Sequence, residues 1–142
     1  MRQTLDRNSE AAGRPAGSVA IAPYLTTAVI ADESQREAAR QKAREPIAFY
    51  IGRMGRFYAE MLARYGYSAE VAAVQEGWKT GPDTARDQVS DAMLDDTGIV
   101  GTADEVRAKL AAWHALGLDE PLISMPPGTP DQAAPVLEAL IR

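Results

Sequence analysis

The segment FYIGRMGRFY, residues 49–58 of this 142-residue chain, places aromatic and guanidinium side chains beside two glycines. Arginine binds phosphate or carboxylate through two parallel hydrogen bonds, and glycine lets a ligand approach the backbone closely. The pattern therefore favours Tyr50, Arg53 and Arg56 as binding residues for an anionic ligand. The plainer alternative is an amphipathic helix whose arginines extend to solvent and whose tyrosines, including Tyr58, pack in the core.

Four other polar residues could do chemistry, and each has a simpler structural role. Asp32 follows an apolar run and is more simply a helix N-cap, with Gln35 at the third helical position, than a catalytic acid. His114 is the only histidine, and we expect no metal site because the chain has no cysteine to complete one. Asp95 and Asp96 are interpreted as loop acids. No general base is evident, so no catalytic residue is assigned.

Two further patterns are given structural interpretations. Arg36, Arg40 and Arg44 recur at a spacing of four and share one face of a helix, which we interpret as a solvated face. The stretch GIVGT, residues 98–102, lacks both the glycine spacing of a dinucleotide-binding turn and the lysine of a P-loop. Neither nucleotide-binding motif is therefore predicted.

The composition is typical of one globular domain and argues against several classes of function. Hydrophobic residues make up 46% of the chain and charged residues 25%, which argues against disorder. A net charge of −5 gives no basic surface for nucleic acid or anionic lipid. The chain has no cysteine, a polar N-terminus and no apolar run near the roughly 20 residues that span a bilayer. We expect a cytoplasmic protein with a single domain over residues 1–142.

Turn and capping signals divide the first two thirds of the chain. SVAIAPYLTTAVIAD, residues 18–32, predicts a strand buried on both faces, as in a parallel sheet, with regular pairing beginning after Pro23. A surface helix follows and is expected to end before Pro46, where a second helix begins and runs to about Arg64. Ser68 is expected to cap a further helix.

The last third has the clearest signals. Residues 84–96 predict one helix, and Thr102 and Glu105 form a capping box that begins another helix, which ends at Gly117. EPLISMPPG, residues 120–128, predicts a second short strand, followed by a final amphipathic helix. Two strands cannot bury a sheet by themselves, so we expect a partner chain or a further part of the same chain beside them.

Three stretches in this order resemble the C-terminal part of the luciferase-like oxidoreductases, and most closely their coenzyme F420-dependent branch. They are AGRPAGSVAIAPYLTTAVIADESQREAARQKAR, a tyrosine- and glycine-bearing helix that ends ARYGY, and VSDAMLDDTGIVGTADEVRAKLAAWHALGLDEPLIS. The resemblance implies an α/β fold, the C-terminal portion of a (β/α)8 barrel, with about two parallel strands and several helices. The two strands would be the last two of the eight, and the active site would lie at their C-terminal ends.

The resemblance also implies a cofactor and a reaction. The family uses reduced coenzyme F420, or alternatively FMN, for hydride transfer to or monooxygenation of a small organic substrate. Arg53, Tyr50, Arg56 and Ser124 become the candidate cofactor-binding residues, although the hydroxyl of a strand-end serine such as Ser124 more often bonds to backbone.

Because six strands of the barrel would be missing, we expect a truncated gene product, a gene fragment or a deliberate half-barrel that is weakly active or inactive alone. The alternative is a non-catalytic half-barrel that pairs with itself or with a complementary chain.

Overall fold

The computed structural model describes residues 1–123 and 130–141, and in that part of the chain a parallel sheet is surrounded by helices. The elements in chain order are α1 (Arg2–Ala11), β1 (Tyr24–Val29), α2 (Arg36–Arg53), α3 (Phe57–Leu62), α4 (Ser68–Gly77), α5 (Pro82–Arg86), α6 (Asp91–Thr97), β2 (Gly98–Gly101), α7 (Ala103–Ala115), β3 (Leu122–Ile123) and α8 (Pro130–Ile141). The α/β fold with parallel strands and several helices is confirmed.

The sheet has one more strand than the sequence indicated. β1 begins at Tyr24, directly after Pro23 as predicted. β2 pairs parallel with the last four residues of β1. β2 was missed because Gly98–Gly101 has four residues, two of them glycines, and glycine is depleted in strands. β1 is also less buried than predicted, since Leu25 is buried whereas Tyr24 is mostly exposed.

β3 lies on the side of β1 opposite β2, which gives the strand order β2-β1-β3. A barrel with consecutive strands would place the strand that precedes β1 at this position. Asp119 holds the segment before β3 here, because its carboxylate accepts from the Ile21 amide at 2.7 Å and pairs with Arg2. The Leu122 amide then donates to the Pro23 carbonyl at 2.9 Å.

Two apolar clusters cover the two faces of the sheet. The larger cluster consists of residues from α2, α3, α4 and α6 with Ala85 and Val89, and its fully buried members include Ile51, Leu62 and Met93. The smaller cluster joins Leu25, Ile99 and Val106, with Leu110 and Trp113 packed against them. Ile99 faces the smaller cluster and the next residue, Val100, faces the larger one, as expected for a strand between two layers.

The arginine row on α2 is not a solvated face, and that prediction was wrong. Arg44 is buried, with its Nε donating to the Val89 carbonyl at 3.0 Å and its Nη2 paired with Asp91. Arg40 Nη2 donates to the same Asp91 carboxylate at 2.7 Å. The acidic partners lie on α6, more than forty residues away in sequence, which is why a helical spacing rule alone does not reveal them.

The first arginine of the row reaches a third element. Arg36 Nη2 donates to Glu105 Oε2 at 2.8 Å, so α2 is tied to the first turn of α7. Arg40 Nη1 donates to Asp95 at 2.9 Å, and Asp95 lies within α6 rather than in a loop. The row therefore joins α2 to both of the helices that flank β2.

α2 continues through Pro46, and the predicted break there was wrong. Proline in a helix interior costs about 3 kcal/mol. Residues on both sides of it, including Ala43, Ile47 and Ile51, are buried in the larger cluster, and this burial offsets the cost. The chain turns instead at Gly55, with φ +83°, so the predicted second helix is divided.

The capping predictions at Asp32 and Thr102 agree with the structure, but the one at Ser68 was wrong, because Ser68 is the first residue of α4 and its side chain makes no capping hydrogen bond. Asp32 accepts from the Ser34 amide at 2.9 Å, and Thr102 and Glu105 form the reciprocal capping box. The single helix predicted over 84–96 is two helices, α5 and α6. Ser90 begins α6 by accepting from the Met93 amide at 3.1 Å.

Gly52 allows close approach, but to a tryptophan of the same chain. A Cβ added to Gly52 would lie 1.9 Å from Trp78 Cδ1. The Trp78 indole therefore packs directly on the α2 backbone, and its Nε1 donates to the Ala48 carbonyl at 2.9 Å.

Removing the buried guanidinium of Arg44 should weaken the packing of α2 against α6. We expect Arg44→Ala to lower the free energy of unfolding by about 2 kcal/mol, because the Val89 carbonyl loses its donor and the arginine stem no longer packs. Urea unfolding followed by circular dichroism measures the change. Arg56→Ala is the control, since that side chain is 88% exposed and should leave the midpoint unchanged. Equal effects of the two substitutions would contradict this assignment.

A methyl group at Gly52 should displace Trp78. Gly52→Ala gains about 1 kcal/mol of helix propensity, but the clash with the indole costs about 1–3 kcal/mol, so we expect net destabilisation and a shift in tryptophan emission. Gly81→Ala is the control for the emission alone, because Gly81 precedes α5 and a Cβ there meets nothing within 4 Å. Unchanged emission in Gly52→Ala would show that the indole does not pack on α2.

Candidate functional site

A groove lies at the C-terminal edge of β1 and β2, where an α/β sheet places its ligands. Its volume is about 480 Å³, and it is lined by Val29, Ile30, Ala31, Gln35, Thr102, Ala103, Asp104, Val136 and Ala139. Most of these residues are apolar, so the groove offers a largely hydrophobic surface at the edge predicted to be active.

Polar groups at this edge are largely engaged with one another. The Ala31 amide donates to Gln35 Oε1 at 2.9 Å. At the start of α7, the Thr102 amide donates to Glu105 Oε2 at 2.7 Å, and the Glu105 amide donates back to Thr102 Oγ1 at 3.4 Å. Asp32 is confirmed as a cap, so it has a structural role at this edge.

The charge at this edge is unsuited to an anion. Among the described lining residues there is no Arg, Lys or His, and the adjacent Arg107 is already engaged by the Asp104 carboxylate and the Ala139 carbonyl. The nearby Arg36 is held by Glu105, and its guanidinium keeps the pKa of that carboxyl below its usual range. The described residues therefore fit the apolar part of a cofactor such as F420 or FMN, but not its anionic part.

The segment that the sequence favoured for binding lies at the C-terminal end of α2 and the start of α3. The rings of Tyr50 and Tyr58 are 5.4 Å apart between centroids, and burial raises the pKa of Tyr58. Arg53 lies over the Trp78 ring at 5.1 Å. Arg56 is exposed and donates to Glu60 at 3.0 Å. The structure thus brings Tyr50 near Tyr58 and Arg53 onto Trp78, outside the groove at the C-terminal edge.

The remaining candidates have simple positions. Ser124 lies outside the described residues. His114 is exposed, with its Nδ1 2.8 Å from the Leu118 carbonyl.

Within residues 1–123 and 130–141, no group of three or more His, Asp or Glu side chains is placed to hold a metal ion. In the same residues no helix is long and apolar enough to cross a membrane.

A second groove, of about 390 Å³, lies at the opposite edge of the sheet, and sequence reasoning missed it. It is lined by Tyr24, Leu25, Tyr58, Met61, Leu62, Tyr65, Tyr67, Asp96 and Thr97. The Tyr67 hydroxyl donates to Asp96 Oδ2 at 2.5 Å, and this hydrogen bond raises the pKa of Tyr67 to about 12.

The sequence held one signal for this groove. In ARYGY two tyrosines flank Gly66, whose φ of +106° is a left-handed conformation that glycine adopts readily. A Cβ there would meet nothing within 4 Å, so the backbone conformation rather than space requires glycine. The contact with Asp96 spans 29 positions and could not be read from the sequence.

A parallel sheet between helical layers, with a groove at the C-terminal edge of its strands, is the architecture of an α/β enzyme. The family model described as luciferase-like monooxygenase matches residues 1–120, and the chain belongs to this family. The family assignment confirms the resemblance seen in the sequence.

A protein of Mycobacterium tuberculosis (strain ATCC 25618 / H37Rv) that carries the provisional name coenzyme F420-dependent oxidoreductase is 34% identical over 97 residues. The match covers 65% of this chain but 28% of that relative, so this chain corresponds to a minor part of the relative's length. No solved structure matches the chain.

Tyr67, whose hydroxyl donates to Asp96, should ionise at a higher pH than an ordinary tyrosine. In a spectrophotometric titration we expect one phenol to ionise near pH 12 and to move toward 10 in Asp96→Asn. Because the raised pKa stabilises the neutral phenol in the folded state, its contribution to stability is complete below pH 10 and is lost as the pH rises through about 12. Tyr67→Phe should remove one phenol from the ionisation at high pH, where Tyr58 also contributes because burial raises its pKa, and an undiminished amplitude there would contradict the assignment to Tyr67.

Proposed function

We propose that this chain is part of an F420-dependent oxidoreductase that transfers hydride between the cofactor and a small organic substrate. The observation that carries the proposal is the apolar groove at the C-terminal edge of β1 and β2, in a chain of the luciferase-like family. The name of the M. tuberculosis relative supports F420 over FMN, which is the alternative cofactor. When bound, the cofactor supplies the redox chemistry, and the protein orients it.

The residues of the groove contribute exclusion of water and shape. Val29 and Ile30 lie at the end of β1, Ala103 begins α7, and Ala139 of α8 lines the same groove. An apolar wall of this kind keeps solvent from a planar ring, which protects a reactive hydride donor.

The anionic part of the cofactor needs groups outside this groove. Tyr50, Arg53, Arg56 and Ser124 remain our candidates for it. Arg53 is the strongest of the described ones because its guanidinium lies over the Trp78 ring and is exposed. Since the groove itself has no cationic lining residue among those described, we propose that these 142 residues alone bind the cofactor weakly and have little or no activity.

A second candidate function is a non-catalytic module that pairs with another copy of itself. Its support is an exposed apolar surface at the end of α2 and the start of α3, formed by Phe49, Met54 and Phe57, the last of which is 87% exposed. Pairing through β2 is not favoured, because its outward carbonyls at Gly98 and Val100 already accept from Lys109 and Arg36.

Titration of the purified chain with F420, and separately with FMN, tests the first proposal. We expect quenching of F420 fluorescence to be saturable but weak, with no turnover, and Arg53→Ala to weaken binding by about threefold or more through loss of one charge-assisted contact. Arg7→Ala on α1 is the charge-matched control and should bind as the parent chain does.

Each alternative result has a definite meaning. Robust F420 reduction by the purified chain would contradict the proposed dependence on further groups. Absence of binding at any concentration would contradict the cofactor assignment. Sedimentation velocity on the same sample distinguishes the second candidate, since a monomer at all concentrations excludes self-pairing.

A further inference from the structure

The groove at the N-terminal edge of the sheet, lined by four tyrosines, has a chemistry that the oxidoreductase proposal does not use. Tyr58 and Leu62 of α3 form its inner side, and Leu62 is 1% exposed. Tyr24 at the start of β1 and Tyr65 are 71% and 68% exposed, so their rings are open to a ligand. The groove therefore combines a closed apolar floor with accessible aromatic rings.

A hydrogen bond holds the Tyr67 hydroxyl, and the adjacent turn places Tyr65 beside it. Tyr65 and Tyr67 lie on either side of Gly66, in the tight turn between α3 and α4. The Tyr67 hydroxyl is held by Asp96 Oδ2 at 2.5 Å. Asp96 directly precedes Thr97, the last residue before β2, so the sheet fixes the position of the carboxylate.

The side chains that line this groove carry charge of one sign, and the Lys109 ammonium, which interacts with the Asp96 carboxylate from outside the lining, is held by the Asp95 and Gly98 carbonyls. Asp96 is the groove's only charged side chain among the described lining residues. Asp95 and Glu70 add to the negative potential at Tyr67, where they favour the neutral phenol. An anion would therefore be repelled, and a hard metal ion would find a single carboxylate where it needs about six oxygen ligands.

We propose that this tyrosine groove binds an organic cation of the quaternary ammonium or methylated amine class, held between tyrosine faces beside the Asp96 carboxylate. Aromatic faces attract cations through the ring quadrupole, and alkylated ammonium groups are weakly hydrated, so they lose little on leaving water. Met61 adds a polarizable apolar wall that suits the methyl groups. The site lies at the opposite edge of the sheet from the proposed cofactor groove, so either proposal can fail without the other.

Calorimetric titration with choline, and separately with its neutral isostere 3,3-dimethyl-1-butanol, separates charge recognition from apolar binding. We expect choline to bind and the neutral alcohol to bind about fivefold more weakly or not at all. Equal affinity for the two probes, or no heat with choline up to tens of millimolar, would overturn the proposal.

Variants then locate the binding. Asp96→Asn should weaken choline binding severalfold, whereas Asp83→Asn, which removes the same charge from α5, should leave it unchanged. Tyr65→Phe keeps the aromatic face and should retain binding, while Tyr65→Leu keeps only apolar bulk and should lose it. Because Tyr65, Asp83 and Asp96 are all exposed, circular dichroism should show a folded chain in every variant. Retention of full affinity by Tyr65→Leu and Asp96→Asn together would place the cation elsewhere.

Discussion

The structure depends on the row of guanidinium groups along α2. Arg44 is buried against the Val89 carbonyl, Arg40 joins two acids of α6, and Arg36 reaches the first turn of α7. A buried arginine without partners would be strongly destabilising, so the acids and the carbonyl must be in place for α2 to pack. Because α6 and α7 lie immediately before and after β2, this one helix sets the position of the strand and of both grooves at its ends.

The parts of the fold that sequence predicted are those decided by local chemistry. The capping box at Thr102, the cap at Asp32 and the start of β1 after Pro23 each follow from residues within a few positions of one another. The parts it missed depend on distant contacts. The burial of Arg44 requires Asp91, and the continuity of α2 through Pro46 requires a core contributed by other helices. The local sequence had indicated a solvent-exposed arginine at position 44 and a helix break at Pro46.

The candidate sites show the same difference between features set by local sequence and features set by distant contacts. The family resemblance and barrel geometry indicate the strand end near Ala31, where the structure has an apolar groove, but not its other side at Thr102, which follows the strand that the sequence did not predict. The aromatic groove at the other end is assembled from β1, α3, the turn at Gly66 and the end of α6, so no single stretch contains it. Its carboxylate, Asp96, was interpreted as a loop acid but lies within α6, and its contact with Tyr67 spans 29 positions and could not be predicted from local sequence.

The outward carbonyls of β2 accept from Arg36 and Lys109, and this has a consequence for how long the strand edge is exposed while the chain is being synthesised. An uncapped strand edge is a template for pairing with neighbouring chains, and a nascent chain is most exposed to such pairing before its later segments emerge. Arg36 is translated well before Gly98, and Lys109 follows in the helix that begins directly after the strand. Both cations that occupy the outward carbonyls are thus available almost as soon as β2 leaves the ribosome. The interval in which this edge could join another nascent chain is short.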